Sequence, residues 1–440
     1  MNQSRAASPG IAIACGGTGG HLFPGLAVAE QLSRRGCRIT LLVSPREVDQ
    51  LAVKSAAGME VVRLPVVALQ RGSRLAFFYS FWKSWRLARK LFKTNPPHAV
   101  LAMGGFTSAP PVMAAKSLGI PTFLHESNTI PGRANRWLAR VVNEAFVGFP
   151  QAVDRLRARK VTVTGTPVRP QFHPRDSQSC RANLFGTANP EDSVRLLAEK
   201  ASAEPQVVLV MGGSQGASGI NEMVLSALPE LKKRNVNWLW VHLTGPREAQ
   251  KVEQAYANLG FKAVVRPFLA EMEVAMGAAT VCISRAGASS LAELAAMRLP
   301  ALLVPYPFAT DDHQLHNARA FVESGAARLL EQREATPERV ADLLVELVES
   351  AAVRTDMESA LSRWHFPDAA ERIAGAILQV VGEPASSAVP DKAKDTVTQP
   401  SGSSKPSSTN QQEVICAGVW GSWILASLSV MEQLAQNLQK

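Results

Sequence analysis

Twice in this chain an apolar run of strand length breaks on clustered glycines and resumes as a helix-periodic stretch. Near the start, Ile11–Ala14 gives way to Gly16-Gly17-Thr18-Gly19-Gly20-His21. Mid-chain, Val207–Met211 gives way to Gly212-Gly213-Ser214-Gln215-Gly216-Ala217. Each reads as a buried parallel strand, a tight turn and a helix start. Glycine lets backbone approach a ligand closely, and the unpaired N–H groups with the helix dipole favour an anion there. One such turn could be a plain strand–helix junction. Two at matching places in two halves predict two nucleotide-type domains facing one cleft.

Neither loop is a standard fingerprint. With Gly17 and Gly19 in the first two places of G-x-G-x-x-G, Leu22 fills the third, and the run Ile39–Val43 leads into Ser44-Pro45-Arg46 rather than an acidic residue. No Gly-Lys-Ser/Thr closes either loop. Dinucleotide oxidoreductases and P-loop NTPases therefore lose ground. A length of 440 residues predicts two domains plus appendages, and a net charge of +10 an acidic partner. Without zinc-finger spacing or a basic-aromatic strand motif, no nucleic-acid partner is expected. The five cysteines form no C-x-x-C pair, a reduced, cytosolic pattern. Met1–Gly10 lacks a basic segment followed by an apolar core, so no signal peptide is expected.

Strand-like runs alternate with helical ones, the mark of doubly wound parallel sheets. Strands are expected near Ile11–Cys15, Arg38–Val43, Val61–Leu64, Ala99–Met103, Pro121–Leu124, Ala145–Val147 and Val161–Val163. The second half repeats the pattern near Val207–Met211, Asn237–Leu243, Lys262–Val265, Thr280–Ile283, Ala301–Val304 and Ala327–Leu330. The expected organisation is an amino-terminal domain over 1–165, a carboxy-terminal domain over 166–366, and a helix over 367–381 that could pack back on the first. A Ser/Pro/Lys-rich, disordered linker and apolar tail fill 382–440. Val414–Met431 is uncharged, but Gly418, Gly421 and several serines dilute it.

Candidate chemistry clusters at the expected carboxyl edges of the strands, where open α/β sheets bind ligands. His21, at a helix start, could take a proton from an attacking hydroxyl or merely hydrogen-bond its loop. Gly104-Gly105-Phe106 makes a third turn, and His125-Glu126-Ser127-Asn128 follows the next strand. Glu126 could orient His21, act as a base, or cap the following helix. In the second half, Arg285–Glu293 runs from a strand into a helix through small residues, and Glu293 could accept two hydrogen bonds from a ribose diol or simply favour the helix dipole. Asp311–Asn317 offers hydroxyl-binding groups, Asp312 and Gln314 among them. His313 and His316 lack a third ligand at diagnostic spacing, so no metal is expected. Finally, Phe77, Phe78, Phe81, Trp82 and Trp85 interleave with Arg74, Lys83, Arg86, Arg89, Lys90 and Lys93. Such a segment could lie on an anionic bilayer, each basic residue contributing ~1 kcal/mol near lipid, or its aromatics could be ordinary core.

In order along the chain, Gly16–His21 with Phe23-Pro24-Gly25, Gly104-Gly105-Phe106, His125–Asn128, Gly165–Arg169, Gly212–Ala217, Arg285–Glu293 and Asp311–Ala318 resemble the MurG family. These are UDP-N-acetylglucosamine:N-acetylmuramyl-(pentapeptide)-pyrophosphoryl-undecaprenol N-acetylglucosaminyltransferases of peptidoglycan synthesis. The resemblance covers about Ile11 to Val381 and departs from the family pattern at Ser127 and Thr166. It implies a GT-B fold of two Rossmann-like domains, with the lipid-linked acceptor on the first and UDP-GlcNAc on the second. No cofactor is implied. Thr18, Gly19, Gly20 and Asn128 would face the sugar and acceptor, and Ser214 the pyrophosphate. Arg169, Leu269, Ala288, Ser289, Ser290, Leu291, Ala292 and Glu293 would surround the nucleotide, and Gln314 would bind the GlcNAc hydroxyls. His21 is the favoured base. The enzyme would sit peripherally on the cytoplasmic face of the bacterial inner membrane. A UDP-GlcNAc 2-epimerase or a non-catalytic UDP-sugar-binding module on the same fold are the alternatives.

Overall fold

The computed structural model describes residues 8–16, 19–44, 58–65, 74–186, 205–213 and 216–382. The readings made for Thr18, Ser214 and the tail after Gly382 fall outside them. Two parallel sheets dominate. The first contains β1 (Gly10–Ala14), β2 (Arg38–Val43), β3 (Glu60–Arg63), β4 (Ala99–Ala102), β5 (Thr122–Glu126), β6 (Glu144–Val147) and β7 (Val161–Val163), in the spatial order β3-β2-β1-β4-β5-β6-β7. The second contains β8 (Val207–Met211), β9 (Leu239–Leu243), β10 (Lys262–Arg266), β11 (Val281–Ser284), β12 (Ala301–Leu303) and β13 (Arg328–Leu329), in the order β10-β9-β8-β11-β12-β13. The apolar runs form central strands because both faces are covered: β1, β4, β8 and β11 are buried almost throughout.

In each sheet the strand order reverses beside the glycine-turn strand, between β1 and β4 and between β8 and β11. The crevice at such a switch point is where open α/β sheets take ligands. Both glycine turns therefore sit where sheet topology leaves room. This is a GT-B architecture of two Rossmann-like halves. The helix Ala369–Val381, last in the described chain, buries Ile373, Ala374, Ile377 and Leu378 in the first half's core beside Leu22, Leu26 and Leu32 of the helix Gly19–Arg34. Arg372 donates to the Val163 carbonyl at 2.9 Å and Arg35 pairs with Glu371 at 3.0 Å, so the start of this helix is pinned to the first half.

Candidate active site

The first glycine turn is forced by crowding. A Cβ on Gly16 would lie 2.3 Å from the Ser44 nitrogen. The helix then starts at Gly19, with His21 in its first turn. His21 lies flat on the third turn: a Cβ on Gly104 would come 3.0 Å from the His21 Cε1, and one on Gly105 would come 3.3 Å from its Nε2. Both glycines hold positive φ, 104° and 75°, so Gly104-Gly105 is the seat of the imidazole. The Thr107 hydroxyl donates to the Gly16 carbonyl at 2.6 Å and locks this seat to the first turn.

The His125–Asn128 motif is mostly internal. Glu126 is buried, and four donors fill its carboxylate: Asn128 N–H and Nδ2 on Oε1 at 2.8 and 3.0 Å, and Gly132 N–H and Asn135 Nδ2 on Oε2 at 2.9 and 2.7 Å. Gly132 is the N-cap residue of the helix Arg133–Leu138, so Glu126 braces the backbone at the start of that helix. His125 is fully buried, and burial drives its pKa down to about 4. The neutral ring donates from Nε2 to the Gly165 carbonyl at 3.1 Å, which accepts only, and Nδ1 accepts from the Ser127 hydroxyl at 3.3 Å.

Loops from the two halves meet at the cleft. The Ser289 hydroxyl, in the first turn of the helix Ala288–Met297, donates to the Gly20 carbonyl at 2.9 Å, so the two helix starts touch. Asn317, fully buried, accepts from Thr129 N–H and Oγ1 at 2.9 and 3.0 Å and donates to Asn128 Oδ1 and the Ala286 carbonyl at 3.0 and 3.2 Å. Asp311, held at φ 52°, bridges to Arg136 at 2.8 Å and Arg133 at 3.4 Å.

On the second half, Arg169 stacks between Phe23 and Phe172, 4.3 and 4.9 Å from their ring centres, with Nη2 3.9 Å from Glu293. Burial pushes the Glu293 carboxyl up to about 7; Arg169 opposes that rise and Glu273 adds to it. Ser289, Ser290, Ala292 and Glu293 are half-buried, but Ala288 and Leu291 turn into the second core. Leu269 packs against the same core beside exposed Phe268. Gln314 Oε1 accepts from Tyr306 N–H at 2.9 Å.

The cationic aromatic segment is the helix Arg74–Thr94. It divides the expected group, because Phe81 and Trp85 pack against the core while Trp82 is exposed with Tyr79 beside it, rings 6.5 Å apart. Arg86 lies over Trp82 at 4.7 Å. Asn135, which holds Glu126, stands outside every expected group, whereas Asn317 belongs to the expected Asp311–Asn317 group and ties the two halves together.

Residues 11–147 match the glycosyltransferase family 28 N-terminal domain, and residues 207–373 match its C-terminal domain. A relative from Anaeromyxobacter dehalogenans named UDP-N-acetylglucosamine–N-acetylmuramyl-(pentapeptide) pyrophosphoryl-undecaprenol N-acetylglucosamine transferase is 36% identical over 377 residues, 84% of this chain and 92% of its own length. The chain belongs to glycosyltransferase family 28, in its MurG branch. The crystal structure of Acinetobacter baumannii MurG superimposes with a TM-score of 0.66 at 28% identity, over 84% of this chain and 99% of that one. A putative UDP-N-acetylglucosamine 2-epimerase from Listeria monocytogenes reaches a TM-score of 0.59 at 13% identity over 85% of this chain and 96% of its own, a likeness of fold alone. The family match covers the second sheet and all of the first but β7, and with them both glycine turns.

Proposed function

We infer that this chain transfers GlcNAc from UDP-GlcNAc to the 4-hydroxyl of a lipid-linked MurNAc-pentapeptide, the disaccharide-forming step of peptidoglycan synthesis. One observation carries the reading: a relative of that named activity aligns over 84% of the chain and 92% of its own length. The epimerase and binding-module readings have no comparable support. The chemistry is a single displacement. The acceptor hydroxyl attacks the anomeric carbon, His21 takes its proton, the bond to UDP breaks and the configuration inverts. The Gly212–Ala217 turn and the helix dipole behind it meet the charge growing on the diphosphate. Seating on a glycine pair gives His21 a fixed direction at the point where the two helix starts touch.

In this reading residues 1–165 take the acceptor, 166–366 take the donor, and the carboxy-terminal helix ties them. Tyr79 and Trp82, with Lys83 and Arg86 exposed beside them, would rest on anionic lipid at the cytoplasmic face of the inner membrane. No helix among the described residues is long and apolar enough to cross a membrane. Through peptidoglycan synthesis the enzyme would serve cell shape and division.

The test is sugar transfer from radiolabelled UDP-GlcNAc with and without lipid-linked MurNAc-peptide. Acceptor-dependent product is expected; acceptor-free isomerisation or binding without product overturns the reading. His21→Ala should lower turnover by ~10²–10⁴-fold while leaving UDP affinity intact. Turnover within a few-fold of wild type would remove His21 as base.

A further inference from the structure

Beneath the second glycine turn lies a buried polar chain that the reaction scheme does not use. Asn221 is in the helix Ser218–Lys233 just after the turn, and His242 is in β9. Both are buried, as is Tyr256 from the helix Ala249–Leu259. Asn221 Nδ2 faces two groups that only accept, the Thr244 carbonyl at 3.0 Å and a Glu248 carboxylate oxygen at 2.6 Å. Its Oδ1 therefore faces His242 Nε2, at 3.0 Å, and that nitrogen must carry the ring proton. His242 Nδ1, 3.0 Å from the Tyr256 oxygen, then accepts from the phenol. One proton arrangement satisfies every contact. It needs a neutral imidazole, which burial enforces by driving the His242 pKa down to about 3.

The chain ends on backbone that shapes the donor site. A Cβ on Gly216, where φ is 76°, would meet the Thr244 carbonyl at 2.4 Å, so the glycine turn rests on the carbonyl that Asn221 holds. Thr244 and Gly245 also donate their N–H groups to the Arg266 and Pro267 carbonyls, both at 3.1 Å. The next residues are Phe268 and Leu269, the second of which is expected above to face the nucleotide.

We infer that Asn221, oriented by His242 and Tyr256, is the positioning residue of the donor site, fixing how far the diphosphate turn stands from the nucleotide segment at Phe268-Leu269. A diphosphate nucleotide must engage both places at once, so this spacing selects for it. The inference rests on the donor-site reading and deepens it.

Calorimetric titration of UDP into the full chain, with donor and acceptor kinetics, tests it. His242→Leu keeps an apolar volume but cannot donate to Asn221. It should weaken UDP binding and raise the KM for UDP-GlcNAc by about tenfold, with kcat and acceptor KM within about threefold of wild type. His242→Gln, with Nε2 to donate and Oε1 to accept, should recover most of that loss; a packing role would instead favour leucine. Tyr256→Phe removes one oxygen and keeps the ring against Trp240, 5.5 Å away, so it carries the test if His242→Leu does not fold. It should raise donor KM about threefold. Wild-type protein that fails to bind UDP overturns the donor-site reading and this inference together. Wild-type binding with undiminished affinity in the folded variants, or equal loss in the leucine and glutamine variants, overturns the inference alone.

Discussion

Glu293 is the residue at which the donor side can be tested most sharply. Its side chain is 17% exposed, and burial, with Glu273 adding to it and Arg169 opposing, lifts its carboxyl from 4.5 to about 7. The folded protein thus holds a proton that the unfolded chain releases earlier. Stability from this group is fully present below the unfolded value and is lost as pH rises through about 7. From those two values, linkage removes about 1 kcal/mol by about pH 5.5 and about 3 kcal/mol by about pH 8.5, relative to acid solution. Glu293→Gln keeps the volume and removes the titration. Its stability relative to wild type should therefore grow by about 2 kcal/mol between those two pH values. Urea unfolding followed by tryptophan fluorescence, on both proteins at matched pH, measures this directly. A difference constant to within about 0.5 kcal/mol, or falling as pH rises, would refute the reasoning. The ligand side gives a second check. A ribose diol donating to Glu293 favours the ionised form. Affinity for UDP-GlcNAc should then rise between about pH 6 and pH 8 in wild type and stay flat in the glutamine variant.

Other positions bear on the cleft. Gly216→Ala places a Cβ 2.4 Å from the Thr244 carbonyl at φ 76° and should cost about 2 kcal/mol of stability and weaken UDP binding; unchanged calorimetry would contradict the crowded turn. Asn317→Ala removes four hydrogen bonds, three of them between the halves, worth about 1 kcal/mol each net, and should lower the unfolding free energy by about 3 kcal/mol after partial rescue by water. A loss under about 1 kcal/mol in urea unfolding would show that the halves hold together by other contacts. Tyr79→Ser with Trp82→Ser should reduce sedimentation with anionic vesicles several-fold while leaving turnover on a detergent-dispersed acceptor unchanged; equal partition would remove this face from the lipid.

The strands were legible because central parallel strands must be apolar on both faces, and apolar runs bounded by turns reveal them. At β5 a boundary slipped because of polarity. The run expected to end at Leu124 continues through Glu126, because His125 and Glu126 are buried with every polar contact met and pair in register with Phe146 and Val147 of β6. Such residues look like loop in a sequence, since their partners are far along the chain. Trp82 and Trp85 show the reverse limit. Composition put both in one amphipathic group, and only the packing of neighbouring helices turned one inward and left the other exposed.

The site divides along the same line. Glycine turns announced themselves, because no other residue survives where a Cβ would meet backbone at 2.3 or 2.4 Å. What aligns them did not. His21 is seated by Gly104-Gly105, Asn128 and Thr129 are held by Asn317, and the donor turn rests on Asn221 and His242. Gly104-Gly105 showed as a turn but not as a seat, and the others are polar side chains on helices or inside a strand, Asn221, Asn317 and His242, with no period or spacing among them. His242 did leave one trace, a lone polar residue inside the apolar run Leu239–Leu243. A buried strand tolerates such a residue only when its hydrogen bonds are satisfied, because an unmet buried donor or acceptor costs about 1–3 kcal/mol. A polar residue inside a buried run, next to a ligand-sized turn, therefore signals a second layer of residues behind the site, which sets where the first layer stands.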